Sequence, residues 1–538
     1  MTRDEFIEYL SDKNNIKLTN EQKDIVFTIN GPHTVISTAG SGKTTILCAK
    51  IANLILCNSV STERILVVTF SRASAVDMDN RFKTQYGELV SDSVNFSTIH
   101  SFALSVVKNY FYKINKPFEI IEGGNASITK NKLLSILCKK HTGENVNEDK
   151  LKDVSGYISY IKNLMILYKD LDNYEDQYPL PKFKEIYKEY EDYKRDINQN
   201  GQRLMDYDDM LSMCYHVLKN NPSILKKYRN KYDYYLVDEA QDTSRVQHEI
   251  LKLLAAPKFN ICLVGDDSQS IYSWRGADVQ EFIDFKTTYH RDGKILFMGQ
   301  NFRSSKTIVD SSARFILENA KDRIEKKIYT NNETGQPIKF IGTDNEYEQN
   351  GYILNQLDRN NLKETAILYR NNISAIPIVD ELIRNNISYY IKDDIPSFFN
   401  HFVTNDLLAI ISFANDQCNV GKFENIYYKI KSYVSKQDIL SLNYENRNKN
   451  VFDLLLEKST SKAREKELKK FKIKFDLLSK MVPEKAFYYI ENSLNYKEYI
   501  EDFSKILNYS IDSVENIIST LKIIAKGLNT IEEFIYKL

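Results

Sequence analysis

Residues 34–52 read Thr34-Val35-Ile36-Ser37-Thr38-Ala39-Gly40-Ser41-Gly42-Lys43-Thr44-Thr45-Ile46-Leu47-Cys48-Ala49-Lys50-Ile51-Ala52. A short apolar run, Thr34–Ile36, has the look of a strand. Thr45–Ala52 reads as a helix packed by its aliphatic residues. Strand, glycine-rich turn and helix start form the context of a phosphate-binding loop. Gly40 and Gly42 let the backbone approach anionic oxygens, and the N–H groups of Thr38–Thr44 and the helix N-terminus face them. Lys43 is expected to reach the β- and γ-phosphates and the Thr44 hydroxyl to ligate Mg²⁺. One departure stands out: Ser37 occupies the place of the usual first glycine.

The chain has 538 residues, too many for one core, so several domains are expected. Lys plus Arg number 73 against 73 Asp plus Glu, a formal net charge of zero. That excludes a wholesale basic surface and leaves nucleic-acid binding to a local patch with stacking. Six scattered cysteines without a Cys-x-x-Cys pair read as reduced thiols of a cytoplasmic protein, with no zinc or iron–sulfur site. The charged N-terminus does not read as a signal peptide, and no apolar run is long enough to span a bilayer.

Other stretches repeat the strand-then-ligand arrangement. Gln22, just upstream of the loop, carries an amide that can pair with both edge atoms of adenine. Ile65–Phe70 is a continuous apolar run of strand length, which places Phe70, Ser71 and Arg72 at a carboxyl end, where ligands lie. Val94–Ile99 ends similarly at His100, to which no proton-transfer role is assigned. Asp206-Tyr207-Asp208-Asp209 opens a helix, with one aspartate as its N-cap and a metal role unsupported. Tyr234–Val237 is a strand ending in Asp238 and Glu239. The first carboxylate suits Mg²⁺ and the second suits activation of a water. Ile261–Asp266 leads into a loop holding Tyr272, Trp274 (the sole tryptophan) and Arg275, a base-stacking platform with a phosphate contact.

The ordered set resembles the UvrD/PcrA/Rep-like helicases of superfamily 1. It comprises LTNEQ (18–22), TAGSGKTT (38–45), VVTFSRASA (67–75), STIHSFA (97–103), DYDDML (206–211), LVDEAQDT (236–243), VGDDSQSIYSWRGAD (264–278), QNFRS (300–304) and AILYRNN (366–372). The resemblance implies an α/β fold of P-loop, RecA-like motor domains with helical insertions. It implies a first motor domain in two parts (1–107 and 203–288) around a helical insertion (108–202). A second motor domain (289–399) and its helical insertion (400–538) follow.

The same resemblance implies roles. Gln269 would sense the γ-phosphate, and Arg303 would be an arginine finger. Phe302 would stack on adenine where relatives often carry tyrosine. Thr45 stands where several relatives have an arginine near the nucleotide. Phe70, Tyr272 and Trp274 would take bases, Arg275 would assist, and Arg72 and His100 would lie near the strand. ATP and Mg²⁺ are the implied cofactors. Single-stranded DNA and 3′-tailed duplex are the implied partners, with 3′→5′ movement and no membrane.

Residues 289–385 read as strands Ile295–Gly299, Ile338–Ile341 and Thr365–Tyr369 with helices Lys306–Asn319 and Ile376–Asn385. Relatives carry two further motifs, of TIHxAKGLE and YVAxTRA type, that residues 1–538 lack. The expectation is a truncated or split helicase, with a C-terminal fragment or nuclease as a partner. A missing arginine finger would lower hydrolysis by roughly 10³–10⁵. The alternatives are a helicase subunit of a nuclease-coupled recombination or anti-phage defence system, and an ATP- and DNA-binding protein with little catalysis.

Overall fold

The computed structural model describes residues 1–123, 126–143, 146, 148–196, 201–318, 323–391, 401–442, 448–459, 461–507 and 511–537. They form two compact units, Met1–Lys339 and Phe340–Leu538. The strands are β1 (His33–Ser37), β2 (Ile65–Thr69), β3 (Asn95–Thr98), β4 (Phe118–Ile120), β5 (Arg203–Met205), β6 (Tyr234–Val237), β7 (Ile261–Gly265) and β8 (Lys294–Met298). All lie in the first unit.

Six of them make one sheet in the order β3-β2-β6-β7-β1-β8, and every pairing is parallel. β1, β2 and β7 are buried along their whole length, as expected of parallel strands covered on both faces. Alternate side chains go to opposite faces. Val35, Val67 and Leu236 meet Ile46, Leu47 and Ile51 of the helix Lys43–Leu56 and Met78 and Phe82 of the helix Arg72–Tyr86. Ile36, Leu66, Val237 and Leu263 meet Phe102, Val106, Leu211, Leu218 and Ile250 on the other side. Because the strands are parallel, the residues that follow β1, β2, β6, β7 and β8 all emerge at one edge, where an open α/β sheet binds ligands.

The insertion between β3 and β6 has its own core of Leu133, Leu137, Ile158, Ile161, Phe183, Ile186 and Tyr190. Its helix Glu148–Asn163 is followed by 3₁₀ turns over Tyr168–Gln177. Left-handed Met165 (φ 58°) lies between them. Asn319, the expected end of the helix that starts at Lys306, lies outside the described residues.

β8 corrects the expected layout. The run Ile295–Gly299 was assigned to a second sheet, yet β8 pairs with β1 in parallel, Val35 opposite Leu296 and Ser37 opposite Met298. Residues up to Lys339 cluster with it. Ile338–Ile341 and Thr365–Tyr369 form no strand: Phe340 and Leu368 are 94% and 92% exposed. A strand needs a hydrogen-bonded neighbour, and among the described residues of the second unit none is offered. That unit is built of helices around Phe413, Phe423, Phe452, Phe475 and Phe487.

Candidate functional site

The turn after β1 has the conformation its glycines allow. Gly40 (φ 68°) and Gly42 (φ 88°) are both left-handed, and Gly42 caps the helix that starts at Lys43. Ser37 has an evident reason to stand where a glycine was expected: its hydroxyl donates to Gly265 O at 2.6 Å, tying β1 to β7 beneath the loop. The Ser41 hydroxyl closes the turn on Thr38 O at 2.7 Å. Thr44 and Thr45 are half-buried in the first helical turn, and Ala39 is exposed at the tip. Gln22 completes a capping box with Thr19 and donates to Ser41 O at 3.2 Å. Its amide therefore braces the loop and keeps one N–H and one lone pair for a further partner.

The segment after β8 lies on the same loop. Phe302 N donates to Gly40 O at 2.9 Å and Asn301 Nδ2 to Ala39 O at 2.7 Å. A Cβ on Gly40 would come within 2.9 Å of Arg303 Cβ, so no side chain fits there. Phe302 and Arg303 are both exposed beside the loop.

Lys43 Nζ lies 3.5 Å from Glu239 Oε2. Glu239 is left-handed (φ 50°), a conformation costing about 1–3 kcal/mol for a non-glycine residue and often stored at functional sites. Asp238 is buried, and its Oδ1 makes no hydrogen bond. Burial and then the Glu239 charge push its carboxyl up to about 7, against the pull of Lys43. A divalent cation would relieve both the orphaned oxygen and the burial. Asp238 with a threonine hydroxyl is a hard-oxygen donor set of the kind such an ion takes. Asp242 is pushed up to about 6 by burial and by Glu239.

Gln269 is exposed on the loop after β7, its Nε2 donating to Asp266 Oδ2 at 2.7 Å. Further along, Phe70 stacks on Tyr272 with centroids 4.8 Å apart, and Tyr272 lies 6.5 Å from Trp274. Trp274 is 62% exposed, with the Arg275 guanidinium 5.3 Å from its ring. A cleft of about 740 Å³ runs from Asp238 and Asp242 past Phe70, Arg72 and His100 to Tyr272 and Arg275. Burial lowers the His100 pKa; Asp208 opposes that and Arg275 adds to it, so the ring is neutral at pH 7.

All the expected site residues of the first unit thus line one edge of one sheet. A model of the UvrD/REP helicase N-terminal domain fits residues 18–290, and one of the UvrD-like helicase C-terminal domain fits residues 296–536. The chain belongs to the UvrD/REP helicase family. Among relatives in the UvrD/REP family, the ATP-dependent DNA helicase PcrA of Staphylococcus aureus (strain Mu50) is 27% identical over 528 residues, 93% of this chain and 70% of that protein. The PcrA of Staphylococcus epidermidis (strain RP62A) is 29% identical over 453 residues, 82% of this chain and 60% of its own length.

Several residues of this UvrD/REP site escaped the sequence reading. Lys326 Nζ reaches Asp266 Oδ1 at 2.5 Å, Asp267 Oδ1, and Ser37 O at 3.1 Å. Glu21 Oε2 accepts from Gly299 N at 3.1 Å. Gln241 contacts both Glu239 and Asp266. Only Gln241 carried a signal, its place in Asp-Glu-Ala-Gln-Asp. The aspartates after β5 take structural parts. Asp206 caps the helix Tyr207–Asn220. Its carboxylate, with Asp209 and Glu191, receives the buried ammonium groups of Lys162 and Lys194 at 2.7–2.9 Å. Two lysines thus fill the space a metal would need.

Proposed function

We propose that the chain is an ATP-driven translocase and helicase moving 3′→5′ on single-stranded DNA. The observation that carries this reading is the placement of Lys43, Glu239 and Asp238, whose Oδ1 makes no hydrogen bond, on the same sheet edge as the Phe70–Tyr272–Trp274 aromatic row. Lys43 would exchange Glu239 for the β- and γ-phosphates, and Arg303, beside Gly40, would add positive charge at the γ-phosphate. A bound Mg²⁺ would supply Lewis-acid neutralisation of the charge developing on the phosphate oxygens. Thr44 and Asp238 are the residues that would hold it. Glu239, released from Lys43, would orient a water and take its proton. Gln22 and Phe302 would flank adenine. The aromatic row would stack bases, Arg275 and Arg72 would face phosphates, and His100 would remain a neutral neighbour of the strand.

In this reading residues 108–202 are an insertion in the first motor domain, and residues 400–538 are one in the second. The test is ATP hydrolysis with and without oligothymidylate, paired with unwinding of 3′- and 5′-tailed duplexes. Stimulation by single strands with unwinding from the 3′ tail supports the proposal. ATP binding without stimulation favours a protein of little catalysis, and unwinding from the 5′ tail overturns the direction.

A further inference from the structure

Gln241 lies between the phosphate end and the aromatic end of the site, and it is almost fully buried. Its Nε2 donates to Glu239 Oε2 at 3.0 Å and to Asp242 Oδ2 at 3.2 Å. Lys43 approaches that same Glu239 oxygen. On its other side, Gln241 Oε1 accepts from Asp266 N at 3.0 Å, and its backbone oxygen accepts from Ser270 Oγ at 3.1 Å. Residues 266–270 are thereby hung on Gln241, and two residues later the chain carries Tyr272 and then Trp274. The fit admits little slack: a Cβ on Gly265 would come within 2.5 Å of Gln241 Oε1.

We propose that Gln241 is a positioning residue that ties occupancy of the phosphate loop to the posture of the tryptophan loop. The inference rests on the reading that the loop takes ATP and the aromatic row takes single-stranded DNA. A single amide satisfies Glu239 with its nitrogen and the Asp266 backbone with its oxygen, so the two contacts cannot move independently. While Lys43 holds Glu239, the Glu239 carboxylate is divided between an ammonium and the amide. When phosphate draws Lys43 away, the amide becomes the chief donor to that carboxylate in the interior. The resulting shift of Gln241 pulls on Asp266 N and Ser270. By reciprocity, a strand bound at Trp274 biases Gln241 and hence Glu239.

The test measures the affinity of the whole chain for fluorescein-labelled oligothymidylate, with and without a non-hydrolysable ATP analogue. The ratio of the two affinities is the coupling factor, and the fluorescence of the sole tryptophan reports the loop directly. In the unaltered chain the factor should depart from unity by about 5–150-fold. In Gln241→Leu it should fall to within about twofold of unity, and the analogue should no longer change Trp274 emission. Retention of the factor in Gln241→Leu overturns the inference, as does a factor of one in the unaltered chain. A common fall of both affinities with the factor preserved marks a merely structural residue and overturns it too. If Gln241→Leu does not fold, Ser270→Ala removes one of the bonds from the half-buried loop; an unchanged factor there is equally fatal. Failure of the unaltered chain to bind either ligand would instead sink the proposed function.

Discussion

Lys43 and Glu239 hold each other across 3.5 Å, the cation of the phosphate loop against the carboxylate that follows β6. The pair gives both groups a partner, and under the proposed reading phosphate binding would be an exchange of anions at one ammonium. Lys43→Ala removes the exchange. It should weaken ATP by about 1.5–3 kcal/mol, the worth of hydrogen bonds to a charged group, and abolish hydrolysis. Calorimetric titration with ATP and Mg²⁺ checks this, and an affinity within error of the unaltered chain would remove Lys43 from the phosphate site.

The aromatic row should behave as a unit. Trp274→Ala should weaken oligothymidylate binding by about 1–3 kcal/mol. Phe70→Ala and Tyr272→Ala should each weaken it. Because these two rings stack on each other, the double variant should fall short of the sum of the singles by roughly 0.5 kcal/mol or more. Strict additivity in fluorescence anisotropy titrations would mean that the rings engage the strand separately.

Asp238 and Asp242 bind a proton more tightly in the folded chain, at about 7 and about 6, than an aspartate does in the unfolded one. Stability from these groups is therefore full below about pH 4 and is lost as pH rises through the folded values. The melting temperature of the ligand-free chain should include a decline between about pH 5 and pH 8, and Asp242→Asn should flatten it. An identical pH slope in the variant would show that Asp242 does not titrate in this window.

Lys162→Met tests the buried charge cluster between the insertion and the first motor domain. Removing one of the two ammonium groups leaves Asp206, Asp209 and Glu191 under-compensated away from water. The loss should be about 3–5 kcal/mol, as for other buried pairs broken on one side. Urea unfolding at neutral pH measures it, and a change below about 1 kcal/mol would mean that water or relaxation replaces the lysine.

Local patterns with a chemical reason were legible: the glycine turn before Lys43, the carboxylates at the end of β6, the aromatic loop after β7. Each is contiguous in sequence and follows a buried strand, so its place on the sheet edge came with its reading. Contacts between distant residues were not legible. Nothing local in Lys326 announces that it will cross to Asp266, and nothing in Ser37 announces Gly265. Strand partners were hidden for the same reason. Residues 295–299 read alike whether they pair with β1 or with another sheet. Phe340 and Leu368 sit in runs with strand-like composition that find no ladder among the described residues. Composition records a preference for extended backbone, and the neighbour decides whether the preference becomes a strand.

Gly276 sits at the foot of the tryptophan loop, left-handed at φ 85°, and a Cβ there would come within 2.6 Å of Asn163 Cβ on the inserted helix Glu148–Asn163. Asp208, at the mouth of the cleft, grips that helix through Ser159 at 2.6 Å and Asn163 at 3.0 Å. The insertion is therefore a backstop. Any tilt of it away from the motor would unclamp the segment bearing Trp274, and any thickening at position 276 would wedge the two apart. Under the proposed reading, a change at position 276 would in this way loosen the strand-binding loop while leaving the phosphate loop untouched.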